Sequence, residues 1–508
     1  MYKYKERKEI KMAAIITEKF RLHNAEQFYE SLSESSADTY YIGIGKPISF
    51  TSDTSGGTDL SPPTPVDDVS SEYYLWDSMI AAKKLTSTDV TYVIPRRNWA
   101  NSTTYDMYEH NISSSNTTTS SATNLYDSTF YFMTSDYRVY KVLDNNGGTA
   151  YSGAEPTSTS TAPHAIGGYV LQYMYTITSS EVSSFLTSDY IPVSTDSTVS
   201  AAATDGAIDS VIVTAGSGYT DGTYYAPVHG DGTSSGTSSG AIIRITIASN
   251  AIVSYGLTAG TDTTIHAAGA GYTHGTVSLA SSAIYSDADL STATNVGGGS
   301  GGAVSVVIGP KEGHGDNAVK ELGGHYVMLH TTLTQAEGDD FLTGNDFRQV
   351  SLIQDPYNYG TTTVSTATTL RSVKAMKLAS GAGTFQADEK ITQATSGAVG
   401  KVVEYDSTLR ILYYQQERWS DYGTPSDGHK DAFSGTYTIT GATSSATGAP
   451  DAAADSSVDT GDSTITFTNG FANEEIEHDS GDILYTESRR PISRASDQTE
   501  DIKLIIEF

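Results

Sequence analysis

The apolar runs of this chain are strand-length, and proline closes several of them. TYYIGIG (39–45) stops at Pro47, TYVI (91–94) at Pro95, and FRQVSLIQ (347–354) at Pro356. Proline lacks the amide that a ladder or a helix interior needs, so such runs end rather than extend. Their content is Tyr, Ile, Val and Thr, residues that fit a pleated surface. No apolar run approaches the roughly 18 residues of a membrane-spanning helix. The expectation is a mainly β chain with a few short helices and long polar loops.

Individual elements can be placed. AAIITEKF (13–20) reads as a strand leading into a helix that Asn24 caps, with Gln27 at the capping-box position. A second helix is expected from near Ser71, with Leu75, Trp76, Met79 and Ile80 as its apolar stripe and Trp76 in the core. Lys83 and Lys84 would sit at its C-terminal end, which suits the helix dipole. Residues 131–148 read as a hairpin strand ending in a turn, 167–178 as a strand, 180–187 as a short helix and 190–193 as a strand. The end of the chain alternates, with Ile502, Leu504, Ile506 and Phe508 on one side, so Phe508 is expected to fill a core.

Two blocks have a different texture, rich in Gly, Ser, Thr and Ala. The first, 201–310, repeats itself. GAIDSVIVTAG (206–216) echoes NAIVSYGLTAG (250–260), GSGYTDGTY (216–224) echoes GAGYTHGTV (269–277), and SSGAIIRITI (238–247) echoes SGGAVSVVI (300–308). Two copies imply a duplicated β-module; a solenoid wants at least three. The second block, 373–460, is β-rich with glycine turns and closes on TGATSSATGAPDAAADSS, which reads as a flexible linker.

Charge and composition exclude several functions. A net charge of −30 repels phosphate backbones, which argues against nucleic-acid binding. The absence of cysteine removes disulfides, thiol nucleophiles and Cys-ligated zinc. His325 and His330 are spaced for neither a helical pair nor a zincin motif. EEIEH (474–478) reads better as a solvated acidic face than as a metal site. GGGSGG (297–302) lacks the Lys-Ser/Thr of a phosphate-binding loop. Asp77, Glu181 and Asp497 have no partner identifiable from sequence. The chain is expected to be no enzyme and to hold no cofactor or metal. The basic start, MYKYKERKEIKM, lacks the apolar core of a signal peptide. Residues 1–11 are expected to be a disordered upstream extension, with Met12 the true start.

Several blocks carry a resemblance. VIPRRNW (93–99) resembles the V-I-P-R-R-aromatic stretch of the baseplate wedge subunit made from gene eight of T-even-type contractile-tailed bacteriophages. FRQVSL (347–352) and RRPISRASDQTEDIKLIIEF (489–508) resemble that family's later blocks. Weaker echoes are ITEKFR (16–21), the Trp76 helix, YRVYKVLD (137–144) and GGYVLQYMYTI (167–177). They follow the family's order and cover 13–195, 318–372 and 461–508. On this resemblance 12–200, 318–372 and 461–508 are parts of a wedge core, while 201–317 and 373–460 are inserted β-modules.

The resemblance implies a β-sandwich core and a homodimer. It implies a structural subunit in the virion's tail baseplate, assembled in the host cytoplasm. Its partners would be other wedge proteins, the gene-seven, gene-ten and gene-six products, and it would take part in the rearrangement on infection. Nucleic acid and membrane are not expected partners. The candidate interface residues are Arg96, Arg97, Trp99, Arg348, Arg489 and Arg490, because Arg and Trp dominate interface hot spots. On so acidic a chain the adjacent arginines are also expected to find carboxylates. Two other readings stay open: a tail fibre or adhesin that holds glycans on the Gly-Tyr modules, and a polysaccharide-degrading tail protein.

Overall fold

A computed structural model describes residues 15–34, 38–52, 56–231, 240–256, 262–333, 346–417, 430–453, 456–460, 464–492 and 499–508. The expected extension at 1–11, the start at Met12, and Asp497 lie outside these residues. The chain is mainly β, with 40% of residues in strands and 11% in short helices, as expected. It divides into two compact units. Unit 1 takes the described residues up to Glu26 with Thr91–Met328 and Ile505–Phe508; unit 2 takes Gln27–Val90 and Leu329–Leu504.

In unit 1 a four-stranded antiparallel sheet runs in the order Tyr131–Met133, Arg138–Asp144, Tyr169–Thr176, His164–Ile166. Its core is aromatic. Tyr105, Phe132, Tyr140, Tyr151, Tyr169 and Tyr173 are buried together. Tyrosine hydroxyls there reach backbone carbonyls, as Tyr140 to Ser158 and Tyr169 to Thr149, both at 2.7 Å. Burying a ring and satisfying its polar tip is what lets tyrosine serve in a core.

The duplicated stretch of unit 1 exchanges strands between its copies. The first strand of copy one, Ile208–Thr214, pairs with the last of copy two, Ala303–Ile308. The last strand of copy one, Ile242–Ala248, pairs with the start of copy two, Ala251–Ile252. The middle strands, Gly222–Gly230 and Gly275–Val277, pair with each other. The two Gly-x-Gly-Tyr turns make the same exchange. Tyr219 N–H donates to Asn250 O and Tyr272 N–H to Gly206 O, each at 3.1 Å. The Tyr219 hydroxyl accepts from Gly302 N at 2.9 Å, and the Tyr272 hydroxyl from Ala241 N at 3.1 Å. Gly206 has φ +58, and a Cβ there would lie 2.5 Å from Tyr272 N, so glycine is required. Each copy completes the other.

Unit 2 holds a five-stranded antiparallel sheet ordered Thr369–Arg371, Met79–Lys84, Tyr40–Gly45, Phe347–Gln354, Asp482–Ile492. One face packs on the helix Val69–Ser78, where Trp76 is fully buried, as expected. Asp68 caps that helix, accepting from Ser71 N at 2.8 Å. The helix stops earlier than its apolar stripe suggests. Met79 turns extended, and Met79–Lys84 is a strand with ladder partners on both sides, which outweigh local propensity.

Seven strands between Lys374 and Ala472 of unit 2 form a second sheet, of which six close on themselves while the seventh, Phe471–Ala472, pairs only with Lys374–Ala382. The order of the six is Ile411–Gln415, Val399–Asp406, Lys390–Gln393, Ile439–Gly441, Thr447–Pro450, Lys374–Ala382, and the first of these also pairs with the last. Six strands thus close into a barrel around Met376, Leu378, Ile391, Val402, Leu412 and Ile439. The stretch expected as a linker from Thr440 instead supplies a barrel strand, Thr447–Pro450. Glycines there allow close approach, and Thr443 and Ser444 are tied to Glu389.

Two further expectations are corrected. Residues 15–17 are irregular and a helix runs Glu18–Ser31, so Asn24 lies inside it and not at its start. Phe508 is only half-buried; Ile502 and Leu504 are the buried members of the final strand.

Candidate interface sites

Arg96, Arg97 and Trp99 follow the strand Val90–Pro95 of the sequence and sit in unit 1. Backbone bonds pin them to the sheet edge: Met133 N donates to Arg97 O at 2.7 Å and Trp99 N to Met133 O at 2.8 Å. All three side chains are half-buried. Arg96 donates to Asn98 Oδ1 at 2.9 Å and Thr187 O at 2.7 Å. Arg97 donates to Tyr126 O at 2.9 Å and lies 4.3 Å over the Tyr131 ring. The pair was expected to find carboxylates; among the described residues it finds carbonyls and a ring face, where a weakly hydrated guanidinium is well suited. Trp99 meets Tyr151 edge-on, with ring centres 5.8 Å apart.

Arg97 also lines a polar cleft of about 360 Å³ in unit 1, with Glu18, Arg21, Asn124, His325 and Glu507. Arg21 bridges Glu507 at 3.1 Å, and Asn124 donates to Glu18 at 3.1 Å. His325 Nδ1 stands 3.6 Å from Glu18 Oε2, beyond hydrogen-bond length. Burial lowers the imidazole's pKa, with Glu18 opposing.

Deeper in unit 1 lies a group that sequence reasoning missed. Lys141, within YRVYKVLD, is fully buried and places Nζ 2.9 Å from both Asp209 and Glu321, and 3.8 Å over the Tyr108 ring. Glu321 also meets His314 Nδ1 at 2.9 Å and accepts from Gly315 N at 2.6 Å. Burial alone would lower Lys141, but the two carboxylates override it and raise the ammonium's pKa. Burial would raise Glu321, but Lys141 and His314 hold it far below the usual range. The group ties a strand of the aromatic sheet, the first repeat strand and the helix Ala318–Leu322. No local signal marks a lysine whose partners are 68 and 180 residues away.

In unit 2, Arg348 is 6% exposed. Its guanidinium bonds Asp59 at 3.1 and 3.2 Å and the carbonyl of Pro47, so it clamps the turn after Tyr40–Gly45 from within. Arg489 is half-buried and Arg490 exposed, both on the strand Asp482–Ile492. The acidic run 474–478 is engaged with backbone: Glu475 accepts from Arg371 N at 2.8 Å and Glu477 from Gly360 N at 2.7 Å. Asp77 receives Lys430 at 2.9 Å, and Glu181 accepts from the N–H of the cap residue Thr178 at 2.8 Å. Among the described residues no three acidic or histidine side chains converge as a metal site.

The six candidates therefore fall in three places: the pinned loop of unit 1, an internal clamp, and an outer strand of unit 2. None forms a catalytic arrangement with another, and the first group is built as a rigid, half-buried platform. No curated protein matches the chain. The family comparison supports a structural protein of a phage baseplate. Residues 14–162, which include the arginine–tryptophan loop and the Lys141 strand, match the family described as Bacteriophage T4, Gp8, and over that stretch the resemblance to the gene-eight wedge family is shown.

Proposed function

We propose that the chain is a wedge subunit of a contractile phage tail baseplate. It is a homodimer that joins neighbouring wedge and peripheral proteins, the gene-seven, gene-ten and gene-six products by resemblance. It performs no chemistry, is assembled in the host cytoplasm, and moves as rigid bodies when the baseplate rearranges. The observation that carries the reading is the family match over 14–162.

Two features support it further. The pinned Arg96–Trp99 loop offers half-buried arginine and tryptophan on a fixed backbone, the chemistry that anchors protein interfaces. Arg489 and Arg490, successive residues of the strand Asp482–Ile492, offer two further arginines on an acidic molecule. The inserted-module reading of 201–317 and 373–460 belongs to the same proposal, because the family match ends before both blocks.

Immunogold electron microscopy of intact virions, with antibodies against the full chain, tests the placement. Label confined to the baseplate supports the wedge reading. Label along fibres or at their tips moves the assignment to the glycan-binding alternative.

A further inference from the structure

Among the described residues, unit 2 leaves one long strand unpaired on its outer side. Asp482–Ile492 spans 11 residues, the longest strand among the described elements. It bonds only Phe347–Gln354 among the described residues, and none of its residues is buried. Such an edge presents a row of free amides and carbonyls, and soluble proteins normally cover or blunt it.

Beside this edge runs a groove of about 580 Å³, within the roughly 300–1,000 Å³ range of ligand sites. Both Leu484 and Tyr485 line it. Ile483, Thr486 and Ser488 sit opposite Ile353, Ser351 and Gln349 across a register shift, and Gln349 also lines the groove, so its floor is one face of the sheet and runs out to this edge strand. Its other wall is the stretch Pro63–Leu75. That wall carries an exposed apolar side chain: Val66 is 62% exposed and Leu484, on the strand, 47%. Exposed large apolar side chains gathered in one place mark interaction sites.

The charge of the groove selects its occupant. Asp67, Asp68 and Glu72 line it and are exposed, while its single lining cation, Lys46, is 3% exposed. A second copy would bring a further net charge of −30 to an acidic wall. We infer that this groove takes an extended segment of a different protein, alternating apolar and basic residues, which adds a sixth strand beside Asp482–Ile492. Its main chain would pair with the free edge, its apolar side chains would cover Val66 and Leu484, and its cations would meet the three carboxylates. The inference stands on the groove alone and does not depend on the baseplate reading.

The test is fluorescence anisotropy with the full chain and a short labelled peptide of alternating lysine and valine, against its glutamate–valine counterpart. The lysine peptide is expected to bind saturably, more weakly as salt rises, and the glutamate peptide not at all. Leu484→Ser and Val66→Ser leave the charge unchanged, and each is expected to weaken binding by about tenfold. Glu72→Lys should weaken it similarly, and Glu30→Lys, on a helix away from the groove, should not. The circular dichroism of each variant should match the parent. Binding that ignores the two serine variants, or that Glu30→Lys weakens as much as Glu72→Lys, reports only the bulk charge and overturns the inference. Self-association abolished by Leu484→Ser would overturn it in favour of a second copy.

Discussion

Two sheets of unit 2 end differently. The barrel within residues 374–472 returns on itself, so each of its six strands has neighbours on both sides, whereas the sheet centred on Tyr40–Gly45 stops at Asp482–Ile492. The burial patterns follow. Ile411–Gln415 in the barrel is buried at every position, as is Tyr40–Gly45 in the middle of the open sheet, and Asp482–Ile492 at none. Closure removes edges and leaves a surface with no free ladder. The barrel is therefore built to hold its own shape, and the open sheet retains a place where another chain can continue it. This contrast guides the choice of substitutions.

The largest effect should come from the barrel interior. Ile391 is fully buried between two ladder partners, and Ile391→Ala is expected to cost about 2–5 kcal/mol by denaturant unfolding. A loss under about 1 kcal/mol would mean that the barrel core collapses easily around a cavity and is not the rigid element described.

Glu389 comes next. It accepts from Gln386 N at 2.7 Å, Thr443 N at 2.9 Å, Ser444 N at 2.9 Å and Ser444 Oγ at 2.6 Å, which fastens the turn between two barrel strands. Burial raises its pKa, but these donors outweigh it and hold the carboxyl below its ordinary value. A depressed folded pKa contributes stability that is present above the unfolded value of about 4.3 and lost as pH falls through the folded one. Glu389→Gln should cost about 1.5–3 kcal/mol at neutral pH and reduce the fall in stability below about pH 4.3. An acid limb identical to the parent's would sever the link between this carboxylate and barrel closure.

The exchanged repeat of unit 1 sharpens the comparison, since it closes by reciprocity and not by a ring. Tyr219→Phe and Tyr272→Phe each remove one hydroxyl acceptor, and each should cost about 1 kcal/mol. Equal costs support two equivalent clasps; a cost in one alone would break the equivalence. The smallest effect belongs to the edge. Leu484→Ser should change stability by less than about 0.5 kcal/mol, because the side chain is half exposed. A larger loss would show that the edge is part of the core and not free.

Much of this was legible in the sequence, for local reasons. Tyr40–Gly45, Tyr169–Thr176 and the helix Ser179–Phe185 follow from alternation and from Pro and Gly punctuation, whereas the Thr178–Glu181 pair that starts the helix was not read from the sequence. Trp76 was recognisable as core from its stripe. Met79–Lys84 was not legible as a strand, because its ladder partners come from residues 41–45 and 369–371, and the apolar spacing continued that of the helix. Thr447–Pro450 read as a linker because small residues serve both flexible chain and tightly approached strands. The site residues divide in the same way. Arg96, Arg97 and Trp99 stood out as residue types, but their carbonyl and ring partners did not. Lys141 and the groove beside Leu484 depend on contacts across more than sixty residues, which composition and spacing do not carry.

The measurement that tests the central claim most directly is mass photometry of the purified chain, alone and mixed with the neighbouring wedge proteins of the same phage. The account predicts a dimer near twice 53.9 kDa that passes into a larger complex on mixing. A stable trimer, or a monomer that joins nothing, would contradict it.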